Sequence, residues 1–581
     1  MLDEMAIKKH VSWDGYRYRG YVDIGTSTDD NDCNPVAKDA LVFMVVAMNS
    51  SWKVPCAYFF IDGMTGCERA NLIRICVSKL HDVGIVVASL TCDGPSCHFS
   101  MFSELGACLD PSMMKTYFDN PAIPEKRIHI FLDVCHMLKL LRNTLGEAGI
   151  LIDGNGGKIQ WQYILELQKL QQKEGLRLGN KLKLTHVNWQ QEKMKVNLAA
   201  QTFSASVADA LEYCSDVLKL REFWGCAATV KFIRMVDQLF DILNSRNPLA
   251  KGFKSALRIA NKAIWDPFLT KASHYFLSLK SLEGQVMYRT RRKTGFIGFL
   301  VAIHSIKGLF HDLVEMQHSP LSYLLTYKLS QDNLELFFAA IRSAGGFNNN
   351  PTAQQFTASY KRLLMRSSIA GGRGNCVPQD KTSILDIIDD TCRVHGNELA
   401  ISTTSMIKKY DLICNLPDLD QEIGDCPMMT NLTDYKKAAI SYIAGYVGSM
   451  TEKQTICFKC CQALGSRNLE ATHSFLRFKD RGGLFKPSES VVTVCEETER
   501  KFQRMLNATN NDLPRGTHIL SRIVYWLHFS LILLLSKNNL DIKLALVGLV
   551  IRFSNFSSNY NKFNDYFRRI LLNFSINTVQ K

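Results

Sequence analysis

The chain has 581 residues, more than one ordinary core fills, and typical domains of about 100 to 200 residues lead to an expectation of three or four. Apolar residues make up 46% and aromatic residues 10%, which excludes a disordered or collagen-like chain. Lysine and arginine outnumber aspartate and glutamate by 69 to 55, and the formal charge of +14 favours a polyanionic partner.

No uninterrupted apolar run reaches the ~18 residues of a membrane span; the nearest, "IVYWLHFSLILLL" at 523–535, is short and contains His528. No membrane partner is expected. The start lacks the charged, apolar and small-residue regions of a signal peptide, so the 18 cysteines read as reduced thiols of a cytosolic or nuclear protein.

After "MLDEMAIKKHV" come three segments rich in β-formers: "YRGYVDIG" (18–25), "ALVFMVVAM" (40–48) and "VPCAYFFID" (54–62). The last two flank the turn "NSSWK" and predict a hairpin. "ERANLIRICVSKLHDVG" (68–84) carries apolar residues at helical spacing and stops at Gly84. "IVVASLTCDG" (85–94) is a buried strand ending in Asp93, and "IHIFLDVCHMLKLLRNTL" (128–145) repeats strand, then helix. The order is that of an RNase H-like sheet, in which an aspartate on the first strand and one ending the fourth become neighbours.

Asp23 on "GYVDIG" and Asp93 are therefore expected to converge, and Glu335 of "LTYKLSQDNLELFFAAIR" completes a set of three from a later helix. On that helix Leu334, Phe338 and Ile341 face the core at helical spacing. Three carboxylates suit two divalent ions, Mg²⁺ or Mn²⁺ rather than zinc, that activate a nucleophilic oxygen and stabilise a leaving oxygen at phosphorus. Asp93-Gly94 alone also reads as an ordinary turn; the joint placement points to a site. Asp3 in "LDEM" lies on another predicted strand and is kept as the alternative to Asp23.

Read with those residues, the chain resembles the transposases of the P-element type, the group that includes vertebrate THAP-domain proteins. The resemblance rests on "LDEMAIKKH", "GYVDIG", "WKVPCAYFF", "VVASLTCDG", "FLDVCHMLKLLRN", "AAQTFSASVADAL", "LFDILNSRNP", "TGFIGFL", "LTYKLSQDNLELFFAAIR" and "YIAGYVG", in that order, over roughly residues 1 to 465. It implies an α/β fold: an RNase H-like mixed sheet interrupted by a large helical insertion, followed by a mostly helical C-terminal region. The expected parts are residues 1–145 and 321–375 for the catalytic domain, 146–320 for the insertion and 376–581 for the C-terminal region.

The resemblance also implies a DDE triad, carried over as Asp23, Asp93 and Glu335, that cuts and joins DNA in the nucleus with a divalent metal. Homo-oligomers are expected of the full-length family. Its insertion implies GTP, with the guanine-reading carboxylate at Asp241 of "LFDILNSRNP" and Asp332 approaching the nucleotide. An aspartate can accept both guanine N1 and N2 protons. No GxxxxGK[ST] loop is present, and Asp237 stands where the family offers an asparagine.

Asp133, His136, Lys139 and Arg142 form a stripe that reads either as phosphate-binding or as a solvated helix face. Cys457 and Cys460 make one CxxC pair, with His473 and Cys495 at poor zinc spacing. The tail from about 517 matches no block. The expected zinc-coordinating THAP domain and leucine-rich segment are missing ahead of the catalytic region, which reads as a truncated frame, a fragment or a domesticated copy. Two function classes stand open: a transposase catalytic core, and a non-catalytic DNA- or protein-binding descendant.

Overall fold

The computed structural model describes residues 1–25, 35–48, 50–346, 348–365, 432–453, 458–466 and 474–508. The chain divides into two units, one of Met1–Leu165, Leu182–Ala208 and Gly225–Cys392, the other of Glu166–Lys181, Asp209–Trp224 and Arg393–Lys581.

The first unit begins with β1 (Leu2–Ala6), a small hairpin of β2 (Ser12–Trp13) and β3 (Tyr18–Arg19), then β4 (Asp39–Val46) and β5 (Lys53–Ile61). Helix α1 (Gly66–Asp82), β6 (Ser89–Cys92), α2 (Ser96–Glu104), β7 (Tyr117–Asn120), β8 (Ile123–Leu132) and α3 (Val134–Ala148) follow. One sheet has the order β1-β4-β5 and a second β6-β8-β7. β6 and β8 are parallel and β7 is an antiparallel edge. β1 lies beside β6, so Asp3 and the end of β6 are brought to one place.

The hairpin expected at 40–62 is present as β4 and β5, with the turn carbonyls of Ala47, Met48 and Ser50 accepting from Lys328 Nζ. The continuous strand expected at 18–25 is not: Tyr18–Arg19 pairs with Ser12–Trp13, and beyond it Tyr21 and Asp23 make only isolated bridges, to Val36 and Phe60. Gly20 then turns the chain at φ +113°, where a side-chain Cβ would sit 2.1 Å from the His10 carbonyl oxygen. The first strand of the main sheet is therefore "LDEMA", the stretch that held the alternative aspartate.

Beyond α3 lie β9 (Ile150–Ile152), β10 (Lys158–Gln160), α4 (Gln162–Glu174), α5 (Leu184–Val187), α6 (Val196–Thr202), α7 (Ala205–Asp216), α8 (Ala227–Leu243), α9 (Lys262–Ser278), β11 (Lys280–Ser281) and α10 (Thr294–Phe310). This region is mainly helical, as expected, and adds a small sheet of order β10-β9-β11. α10 continues as a single wide turn to Glu315, and Thr294–Glu315 is long and apolar enough to cross a membrane. It is instead a core helix, with Phe296, Phe299, Leu300, Ile303, Ile306 and Phe310 buried and its faces packed on α3 and β8.

α11 (Asp332–Ala344) and α12 (Ala353–Met365) complete the unit. Leu334, Phe337, Phe338 and Ile341 of α11 join Phe356 and Tyr360 of α12 against Met5, Ala40, Val42 and Phe60 of the β1-β4-β5 sheet. Burying side chains of this size stabilises by about 1.5 to 3 kcal/mol each, which fixes the roll of α11 and turns Glu335 away from the core.

In the second unit α13 (Asp434–Glu452), α14 (Phe458–Leu464), α15 (Ser474–Lys479) and α16 (Glu489–Ala508) are all helical, and α13 packs on the other three. Tyr213 from α7 meets Phe475 edge-on at 4.8 Å. Cys457 and His473 lie outside the described residues, as does the tail from 509, while Cys495 is buried in α16.

Candidate catalytic site

Carboxylates from four elements act on one another: Glu335 on Asp3, Asp133 and Asp332, and Asp93 on Asp3. β1 carries Asp3, the turn after β6 carries Asp93, the turn after β8 carries Asp133, and the first turn of α11 carries Asp332 and Glu335. Burial pushes the Asp3 carboxyl up to about 8, and the charges of Asp93 and then Glu335 add to the rise, against the Glu4 N–H that donates to Asp3 Oδ1 at 2.8 Å. Like charges from three elements thus act on one another, the condition that disfavours ionising them all at once.

Asp93 is held differently. Burial opposes its charge, but His98 from the first turn of α2 outweighs that, with Nδ1 2.9 Å from Asp93 Oδ1, and His136 and Arg69 add to the pull below the usual carboxylate range. Burial likewise works against the imidazolium of His98, yet Cys92 and Asp93 hold it protonated well above its ordinary range. Arg69, buried on α1, also ion-pairs with Glu4.

Asp133 is 3% exposed and caps α3: Oδ2 accepts from His136 N at 2.8 Å and Oδ1 from Gln331 N at 3.1 Å. Burial, then Asp332 and Glu335, raise its pKa to about 7. Gln331 ties the start of α11 to the first strand, its buried side chain donating to the Leu2 carbonyl at 2.7 Å. Asp332 is pushed up by burial and held down by Arg246, whose Nη2 stands 2.6 Å from Asp332 Oδ2.

Asp93 and Glu335 both act on the Asp3 carboxyl. Asp23 does not join them: it bridges Phe60 on the outer edge of β5, and its carboxylate accepts from Gly25 N at 3.0 Å. Three strand spacings separate that edge from β1, roughly 14 Å. Asp3 occupies the place foreseen for Asp23. Asp241, near the end of α8, is raised by burial and lowered by Lys254 at 3.7 Å, while Asp332 answers to Arg246 and Glu335, within the acidic group.

The stripe on α3 also divides. Arg142 is fully buried and donates to the carbonyls of Glu192 and Lys193 and to Asn143 Oδ1, a structural role rather than a phosphate contact. Lys139 is buried too, and His136, its pKa lowered by burial and by Lys139, feels Asp93 and Glu335. Local sequence carries no signal for Arg69, Gln331 or Arg246. For His98 alone a local signal existed, a histidine five residues past Asp93 in "DGPSCH".

Family models match four stretches: the TNP-like RNase H N-terminal domain over 1–106, the TNP-like GTP-binding insertion domain over 135–256, the TNP-like RNase H C-terminal domain over 327–361, and the DNA transposase THAP9 C-terminal domain over 431–532. The chain is 32% identical over 520 residues to the DNA transposase THAP9 of Homo sapiens, covering 87% of this chain and 56% of that protein. It is 27% identical over 477 residues to the Transposable element P transposase of Drosophila melanogaster, covering 81% and 58%. The chain thus spans rather more than half the length of these curated relatives. Its fold resembles the Drosophila P element transposase strand transfer complex at TM-score 0.52 and 26% identity, over 63% of this chain and 75% of that one. With the two halves of an RNase H-like domain matched on either side of a GTP-binding insertion domain, and with these relatives over most of its length, the chain belongs to the P-element-type transposase family.

Proposed function

We propose that the chain is the catalytic region of a DDE-type DNA transposase, cutting and joining phosphodiesters in the nucleus through Asp3, Asp93 and Glu335. The observation that carries the reading is the action of Asp93 and Glu335 on Asp3, three carboxylates from β1, β6 and α11 at one point. An oxygen-only donor set under mutual repulsion fits a hard dication, Mg²⁺ or Mn²⁺. Among the described residues no group of three His, Cys, Asp or Glu already stands in metal-holding geometry. When bound, the ions supply an activated nucleophilic oxygen and a stabilised leaving oxygen.

The residues' own work is to hold charge in place. His98 keeps Asp93 ionised and oriented; Gln331 and Asp133 lock the start of α11 so that Glu335 meets Asp3. The test is joining of pre-cut DNA ends with Mg²⁺ or Mn²⁺. Asp3→Asn, Asp93→Asn and Glu335→Gln abolish it, since an amide lacks the charge, and Asp23→Asn leaves it. Joining that survives Asp3→Asn but not Asp23→Asn overturns the assignment. A wild-type chain that binds DNA and joins nothing supports the non-catalytic descendant instead.

GTP is proposed as the ligand of the insertion, with the Asp241 carboxylate accepting the guanine N1 and N2 protons. Adenine presents a donor and an acceptor there and is discriminated against. Calorimetry with GTP and ATP, on wild type and Asp241→Ala, tests this; equal heats for the two nucleotides refute it.

A further inference from the structure

The segment entering α10 reads "YRTRRKT", and Arg289, Arg291, Arg292 and Lys293 are all exposed. Arg292 ion-pairs with Glu147, and Arg289 stands over the Tyr288 ring at 5.8 Å. The side chains of Arg291 and Lys293 make no hydrogen bond or ion pair among the described residues; Asp110 is the acid that feels Arg289 and Lys293. Four cations are crowded onto five residues against two acids, and such crowding is unfavourable until a polyanion relieves it.

The next residue fixes where this ridge lies. A Cβ on Gly94 would fall 2.5 Å from Thr294 Cγ2, so the threonine that follows Lys293 is packed on the turn that presents Asp93. Lys293 begins one Cα step, about 3.8 Å, from that contact. Phosphates along one DNA strand succeed each other every ~3.4 Å of helix axis, so several cations within a few residues can meet more than one of them.

We propose that Arg289, Arg291 and Lys293 form a phosphate ridge that carries the DNA strand leading away from the phosphodiester at Asp93. The proposal rests on Asp93 as a catalytic carboxylate. The ridge is assigned to the backbone rather than the bases, because most protein–DNA hydrogen bonds go to phosphate and sugar and position the protein without reading sequence. Arg292, already paired, contributes less.

The test is binding of the full chain to fluorescent duplexes of unrelated sequence, in EDTA so that no joining occurs, between 50 and 200 mM salt. The variant is Arg289→Gln/Arg291→Gln/Lys293→Gln; the control removes the same charge elsewhere, as Lys79→Gln/Lys271→Gln/Lys361→Gln. Each lost contact lowers the log-log salt slope by about 0.9, so over this range the wild type loses about 40-fold more affinity than the ridge variant. In joining assays the variant raises KM for DNA and keeps kcat. Equal slopes for ridge variant and control overturn the ridge. Because the binding assay needs no metal, a ridge effect without joining in the wild type refutes the catalytic reading alone, and joining with no ridge effect refutes the ridge alone.

Discussion

Replacing Asp3 with asparagine should make the protein more stable at neutral and alkaline pH while removing its chemistry. Asp3 carries a folded pKa of about 8, from burial and the charges of Asp93 and Glu335, against an ordinary value of 3.8. Because the folded value is raised, the stability tied to its proton is fully present below about pH 4 and is lost as pH rises to about 8. Each pKa unit corresponds to about 1.4 kcal/mol, so wild type falls behind Asp3→Asn by about 1.4 kcal/mol per pH unit across that window. The total is on the order of 5 kcal/mol. Urea unfolding of both proteins at pH 5, 6, 7 and 8 measures the divergence, and Asp133, unchanged in both, cancels. Saturating Mg²⁺ or Mn²⁺ at pH 8 should then stabilise wild type, by about 2.7 kcal/mol at a hundredfold excess over Kd, and leave Asp3→Asn nearly unmoved. Parallel stability curves from pH 5 to 8 would show that Asp3 does not share its site with other carboxylates, and the convergence would be wrong.

Gly94→Ala should cost about 1 to 3 kcal/mol, since its Cβ meets a stiff β-branched methyl 2.5 Å away; adding Thr294→Ser removes that methyl and should restore most of the thermal midpoint. An undiminished loss in the double variant argues against the contact. Arg246→Met should destabilise by about 3 kcal/mol in urea titrations because it strands the largely buried Asp332 carboxylate, and Asp332→Asn on that background should recover more than half. Equal stability of the single and double variants rules out the pair as described.

Asp93 was legible because a continuous apolar strand ran straight into it, and Glu335 because Leu334, Phe338 and Ile341 declare the buried side of its helix. The first aspartate was misplaced for a local reason. "YRGYVDIG" has the stronger β composition, but β2–β3 pairing and the Gly20 turn divert it, whereas "LDEMA" becomes a strand through pairing with β4, a partner over thirty residues away. Tertiary pairing overrides strand propensity here. The stripe on α3 was misread because helical spacing shows which residues share a face, not whether that face is covered; Arg142 turned out to be sealed by the carbonyls of Glu192 and Lys193. Gln331 and Arg246 act on groups distant in sequence, Leu2 and Asp332, which no window of neighbouring residues reveals, whereas His98 stands only five residues past Asp93.

The lock between Gln331 and Leu2 spans almost the whole of the first unit's sequence, with the insertion between its two halves. On the ribosome, then, β1 emerges with Asp3 and Asp93 follows, but the helix that completes the acidic group is not yet made. At about 5 to 20 residues per second, the interval from residue 93 to residue 335 lasts roughly 10 to 50 s. During it the β1-β4-β5 sheet lacks the cover of α11 and α12, so its apolar face needs another partner, a chaperone or the nascent helices behind it. The proposed acidic site stays incomplete throughout, and a ribosome stalled before residue 335 releases a product without Glu335.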